Sequence, residues 1–515
     1  MLTTTGLATA VAESQSSFSM QERERQPPTE IDSCTTINDP GRYVLTTDIE
    51  DSDANVCIDI QSSEVYFDAN GHTIDGARTD EVLNESAQGP IPSPTSVAVG
   101  VGVDVPGSLS NVTVTDVTAT RSVFGVYATD LTDLRVENTT ASTNGYGIFV
   151  NNSSDSTVAH TAALDNFADG IDVNSLRGRQ VTGITVTDSV ALRNRYEGIA
   201  VWNASHSVVA DSVAAENGEV GVLFESETQR ASVNNTGANV TARANGYLGY
   251  KDGIGIFHAS DSLVTNSTAV NNSGTGIAFD ALDETVSNNT VVDSTATENS
   301  GGVLVINSTD TMVANVTASK NVLGILSVDR IDGLVITENT VDDNEFIGLI
   351  VDGGAGVAVT DNTVRNSGYV GINFANTEKA LLAGNEVTGT RGDASFDVPF
   401  PAAGILLSNV STSGVVDNTA SENNVSGVLM REGNENLILL SNRASGNADD
   451  GVTVNASESI ALILTTANNN GDDGIEVTAS NRILLVGNTL DGNGDLAVEI
   501  NESENVIRRG PPGWS

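Results

Sequence analysis

The sequence predicts an all-β solenoid, built from about 17 short coils rather than around one globular core. Two observations predict it. The phrase Gly-[Ile/Val/Leu]-x-[aliphatic/Phe] begins at Gly102, Gly125, Gly147, Gly170, Gly198, Gly221, Gly253, Gly276, Gly302, Gly324, Gly348, Gly371, Gly404, Gly427, Gly451 and Gly474, mostly at steps of 22 to 24 residues. A degenerate copy, Ala497-Val498-Glu499-Ile500, follows. Each repeat also carries three β-prone runs, such as residues 324–328, 334–336 and 340–341, separated by Asp, Asn and Gly. Runs this short between turn formers are strands, not helices.

Three strands in one repeat make one coil, whose strands pair in parallel with the coils above and below at about 4.8 Å. Alternation in the first strand points Ile148, Ile199, Ile277 and Ile372 inward and Phe149, Ala200, Ala278 and Asn373 outward. One face is expected to be buried and the other solvated. The repeating Gly is expected to adopt a backbone conformation that a β-carbon would oppose. Asn144, Asn166, Asn194, Asn217, Asn271, Asn299, Asn321, Asn344, Asn366, Asn447 and Asn493, three to five residues before the Gly, are expected to stack as a hydrogen-bonded ladder.

Sixty-eight acidic residues against 23 basic ones give a net charge of −45, and Lys251, Lys320 and Lys379 are the only lysines. Such self-repulsion suits concentrated salt, where screening acts within about 3 Å at 1 M. It disfavours nucleic acid and anionic membrane surfaces as partners. Cys34 and Cys57 are the only cysteines and are expected to form a disulfide. About seventeen Asn-x-Ser/Thr sequons, Asn266 and Asn315 among them, also point to export. No apolar run reaches the roughly 18 residues that a membrane span needs.

Residues 1–30 read as a signal-like remnant, apolar and small up to Ala12, followed by a linker. Residues 31–100 read as an N-terminal cap with opening coils, 101–501 as the repeats, and 502–515 as a tail.

The stretch Cys34-Thr-Thr-Ile-x-x-Pro-Gly-Arg-Tyr-Val-Leu, then Cys57-Ile-Asp-Ile, then Val65-Tyr-Phe-Asp-Ala-Asn-Gly-His-Thr-Ile-Asp-Gly76, followed by the Gly-Ile repeats, resembles the parallel β-helix proteins of haloarchaea. These belong to the pectin-lyase-like superfamily, with NosD-type and carbohydrate-active (CASH) repeats. The resemblance covers residues 31 to 501 and implies a single-stranded right-handed parallel β-helix. It is silent on activity, because this fold carries lyases, hydrolases, epimerases and noncatalytic surface proteins.

Breaks in the period locate the candidate site. Steps of 28 after Gly170, 32 after Gly221 and 33 after Gly371 imply inserted loops, and the first two flank the coils at Gly198 and Gly221. Loops rising beside one stretch make a cleft, where extended ligands bind. The outward residues there include Asp172 and Asn174, Trp202, Glu225 and Phe257, and the flanking loops add Arg177, Arg179, Arg195, Tyr196, Glu197, Tyr250, Lys251 and Asp252. An indole that stacks on a pyranose beside Arg that pairs a uronate suits an acidic polysaccharide. Asp169-Gly-Ile-Asp172, one coil before Glu197-Gly-Ile, is similar to the paired carboxylates of polygalacturonases. That family's Gly-His-Gly and Arg-Ile-Lys are missing from the next coils, which read Glu219-Val-Gly-Val and Lys251-Asp-Gly-Ile. A pectate-lyase-like route through Asp172, Glu197 and Arg195 with Ca²⁺ stays open.

The resulting expectation is a secreted, monomeric protein that binds and processes polysaccharide on the outward face of coils 170–280. Its rival is a noncatalytic surface solenoid. Asp450 and Asp473, stacked on adjacent coils, are candidate Ca²⁺ ligands. Four scattered His, four Met and two bonded Cys do not make the copper site that the NosD resemblance suggests.

Overall fold

A computed structural model describes residues 27–87, 94–175, 181–226, 232–249, 251–281, 285–393, 395, 398 and 400–510. The signal-like remnant, Arg177, Arg179 and Tyr250 lie outside these residues. The chain divides into two compact units, Met1–Val213 and Ala214–Ser515.

In the first unit the first strands of successive coils are Thr35–Ile37, Val56–Ile60, Val97–Val101, Phe124–Thr129, Tyr146–Asn151, Ile171–Asn174 and Ile199–Trp202, paired in parallel. Register stacks Ile58, Val99, Val126, Ile148, Ile171 and Ile199 into a fully buried inner column. Each such side chain contributes roughly 1.5–3 kcal/mol, so stability accumulates coil by coil. Residues 29–76 already form coils: Gly41–Leu45 pairs with Val65–Asp68, and Ile49–Ser52 with Thr73–Gly76. The Cys34–Cys57 disulfide joins two adjacent coils across a Cα–Cα distance of 4.4 Å.

Three expectations are corrected here. The outer face of this sheet is not solvated: Phe149 and Ala200 are fully buried, and Tyr127 nearly so. Their cover includes helix α1 (Asp80–Ala87), whose Leu83 packs with Phe124, Tyr127, Tyr146 and Phe149. The glycine of the Gly-Ile phrase is required by close approach rather than by a left-handed backbone. A β-carbon on Gly170 would stand 2.6 Å from both the Gly198 carbonyl oxygen and Asn194 Nδ2. Gly102 belongs to another position: Val99 is paired with Val126, so Ala98 takes the place of Gly125, and Gly102 turns the chain at φ +72°.

The second unit repeats the design from Val222–Glu225 through Ile254–Phe257 and Thr275–Asp280 to Val498–Asn501. Its inner column runs Val222, Ile254, Ile277, Val303, Ile325, Leu349, Ile372, Ile405, Val428, Val452 and Ile475. Ala278 on its outer face is also buried. The insertion after Gly371 folds back so that Tyr369 donates its hydroxyl to the Phe400 carbonyl at 2.6 Å.

Asparagine ladders brace both units. In the first, Asn144 and Asn166 each donate a backbone N–H to the next ladder member's Oδ1, Asn166 and Asn194. In the second, Asn217, Asn245, Asn272, Asn299, Asn321 and Asn344 do the same in turn. Asn271 and Asn366 are not members: they occupy exposed left-handed corners; Asn272 is the ladder residue in the first case, and buried Ser367, whose hydroxyl has no partner, takes the place in the second. A second ladder, Asn339, Asn362, Asn385, Asn418 and Asn442, lines another corner. Among the described residues, one strand per coil gives 20 coils rather than about 17; the extra ones come from residues 29–100.

Candidate functional site

The residues expected in one groove divide between the units. Asp172, Asn174, Arg195, Tyr196, Glu197 and Trp202 belong to the first; Glu225, Lys251, Asp252 and Phe257 belong to the second.

In the first unit, β-alternation puts Asp172 in the outward column between Phe149 and Ala200. It is only 2% exposed, and its Oδ1 has no hydrogen-bond partner. Burial, and then the nearby Glu197 carboxylate, push its pKa up to about 8, against hydrogen bonds from Asn174 and Asp169. Asp172 is therefore a neutral acid at pH 7. Asp169 is engaged structurally, because its Oδ1 accepts the Glu197 backbone N–H at 3.1 Å. Glu197 lies across from Asp169, with the Gly170 N–H donated to the Glu197 carbonyl. Tyr146, buried on the preceding coil, is shifted upward by burial and by the charges of Asp169 and Asp172.

Arg195 Cζ lies 5.6 Å from the Tyr196 ring centroid, and its Nη1 donates to Asn84 Oδ1 on α1. Tyr196 packs on the cluster of Phe124, Tyr146 and Phe149. Trp202 is half-buried on the next coil. The sequence reading missed Tyr146 and all of α1. The available signal was four rings, Phe124, Tyr127, Tyr146 and Phe149, in two consecutive repeats.

In the second unit, Glu225, Phe257 and Asp280 form one outward column. The Phe257 ring lies over Gly255, within 2.8 Å of where a β-carbon would stand, so glycine makes room for it. Lys251 is paired with Glu219 at 3.0 Å. Asp252 accepts the Thr275 N–H at 2.7 Å, and burial raises its pKa to about 6. Nδ1 of His258 and Oδ1 of Asp280 are buried without hydrogen-bond partners.

Asp450 and Asp473 follow the pattern of Asp169 and Asp252. Asp450 Oδ1 accepts the Asp473 N–H at 3.0 Å, and Asp473 Oδ1 accepts the Leu496 N–H at 2.7 Å. An Asp before the repeat Gly thus braces the backbone of the next coil. Burial is the main cause that lifts these two carboxyls, to about 7 and about 6. Carboxylate oxygens of Asp449, Asp450 and Asp472 lie within 4.8 Å of one another, as do those of Asp472, Asp473 and Asp495. Among the described residues no helix is long and apolar enough to cross a membrane.

Comparison with solved structures finds a double mutant of the periplasmic alginate epimerase AlgG, at 13% identity and TM-score 0.38 over 85% of this chain and 84% of that one. It also finds DFA-IIIase from Arthrobacter chlorophenolicus A6 in complex with GF2, at 11% identity and TM-score 0.37 over 64% of this chain and 83% of that one. Likeness at this level carries no argument about activity. No curated protein matches the sequence. The family model for the right handed beta helix region matches residues 55–214, 174–291, 232–387 and 347–509. Those matches span nearly all the coils described above, and the chain belongs to the right handed beta helix family.

Proposed function

We propose that this protein acts on an acidic polysaccharide, with Asp172 as general acid and Glu197 as general base. One observation carries the reading: a buried, neutral carboxyl with an unmet oxygen beside a second carboxylate. Two carboxyls whose environments push their pKa values apart provide the acid and base of glycoside chemistry. Asp172 would protonate the departing glycosidic oxygen while Glu197 takes a proton from the attacking water. Arg195 supplies a cation for the uronate, and Tyr196 and Trp202 supply ring faces for the sugar. The expectation of substrate contacts from Asn174, Arg177 and Arg179 belongs to this same proposal; contacts from Glu225, Lys251, Asp252 and Phe257 are a separate proposal for the second unit.

The setting is proposed from composition and the disulfide. A net charge of −45 suits molar salt, as in the haloarchaeal NosD-type and CASH proteins that the sequence resembles. The bonded Cys34–Cys57 pair suits an oxidising, extracytoplasmic location. Ca²⁺ is the proposed cation for the clusters around Asp450 and Asp473, on the strength of their oxygen spacing. Adding Ca²⁺ should then raise the melting temperature, and no change would remove it.

A rival reading, a noncatalytic surface solenoid, is favoured by the burial of Asp172. Turnover of uronate polymers in molar KCl separates the two. Wild type should release product, and Asp172→Asn and Glu197→Gln should release it far more slowly; equal rates in all three would remove these carboxyls from the chemistry.

A further inference from the structure

Helix α1 is the one α-helix among the described residues, and it comes from an excursion between the strands Thr73–Gly76 and Val97–Val101. Its attachment is slight. Leu83 is fully buried, whereas Val82 is 41% exposed and Asp80, Glu81 and Glu85 face solvent. Leu83 belongs to one cluster with Phe124, Tyr127, Tyr146 and Phe149, and of these Tyr127 and Phe149 lead along the outward column to Asp172. The second tie is the hydrogen bond from Arg195 to Asn84. An eight-residue helix is not stable by itself in water, so it depends on docking, to which the Leu83 and Asn84 contacts contribute. The solenoid beneath has strand ladders of its own.

We propose that α1 is a displaceable lid over the Asp172 pocket: it is closed in this structure, and lifting it exposes a ring-lined surface on which pyranose units stack. Closing is driven by Leu83 entering the ring cluster and by Asn84 capturing Arg195. Opening frees Arg195 for a uronate and uncovers the faces of Tyr127 and Tyr146, which suit sugar stacking. A sugar chain therefore competes with the helix for the rings and for the guanidinium together. The two states differ in the contacts that each occupant makes, as a ligand-driven population shift requires. This role for the helix rests on the reading of Asp172 and Glu197 as the reacting pair, but the lid motion can be measured without any substrate.

The test is carbodiimide labelling of carboxyls with glycine ethyl ester, read by peptide mass spectrometry on the full chain in molar KCl. Exposed Asp32 serves as internal standard, and circular dichroism confirms the fold. Wild type should label Asp172 slowly. Leu83→Ala, which removes the buried anchor, should label it at least ~10-fold faster. Asn84→Ala leaves the anchor and cuts the tie, so it should give a smaller increase. Equal Asp172 rates in wild type and both variants, whether fast or slow, would overturn the lid. Turnover of a uronate polymer reads the acid–base assignment separately. Fast labelling in Leu83→Ala without turnover would keep the lid and remove the proposed chemistry; turnover with equal labelling would do the reverse.

Discussion

Replacing Asp172 with Asn should stabilise the protein, by an amount that grows as pH rises above about 4. The folded state raises this carboxyl from its ordinary 3.8 to about 8. Because the folded pKa lies above the unfolded one, the folded state binds the proton more tightly. The group therefore costs nothing below about pH 4, and its cost grows as pH rises toward 8. Each pH unit corresponds to about 1.4 kcal/mol, so the full cost above pH 8 is roughly 6 kcal/mol, with about 4 of it present at pH 7. Asn keeps the shape and removes the charge. For a unit of about 200 residues, 1 kcal/mol moves Tm by about 2–4 °C, so the variant should melt roughly 10 °C or more above wild type at pH 9. At pH 4 the two should melt together. The assay is paired scanning calorimetry at both pH values in the same molar salt. An equal difference at pH 4 and pH 9 would refute the burial-driven shift.

Other consequences are structural. Asn194→Ala removes the Oδ1 that accepts from Asn166 and the amide that donates to the Ala163 carbonyl. With buried partners left unpaired it should cost about 3 kcal/mol, with hydrogen exchange accelerated at Asn166 and not in distant coils. Replacing Cys34 and Cys57 with Ser should cost about 3 kcal/mol, and an unchanged denaturation midpoint would show that the bridge adds nothing. Transfer from molar to millimolar KCl should unfold the protein, because a charge of −45 is then unscreened; an unaltered melt would contradict this.

The coil architecture was legible because every coil solves the same packing problem with the same residues in the same order. The inward column Ile148, Ile171, Ile199 follows from strand alternation alone. Phase was harder to read. Gly102 imitates the repeat glycine although it is a left-handed turn residue, and Ala98 fills the true position. Adjacent polar residues caused the errors at Asn271 and Asn366, since either neighbour satisfies a consensus while geometry admits one of them. The burial of the outer face was not legible at all. Alternation reports that Phe149 points away from the core, but its cover includes a helix far away in sequence. The acidic pair Asp450 and Asp473 was found by its spacing, while its bracing of the next coil follows from backbone geometry that spacing does not reveal.

The central claim is that Asp172 delivers a proton, and the pH dependence of turnover tests it most directly. In molar KCl with a uronate polymer, wild-type kcat/KM should stay level near neutrality and then fall as pH rises through about 8, where Asp172 ionises. Burial is the main cause that raises Asp172 and the Glu197 charge adds to it, so in Glu197→Ala the residual activity should fall at a lower pH. An alkaline limb at the same pH in both proteins, or a profile flat to pH 10, would contradict Asp172 as the acid.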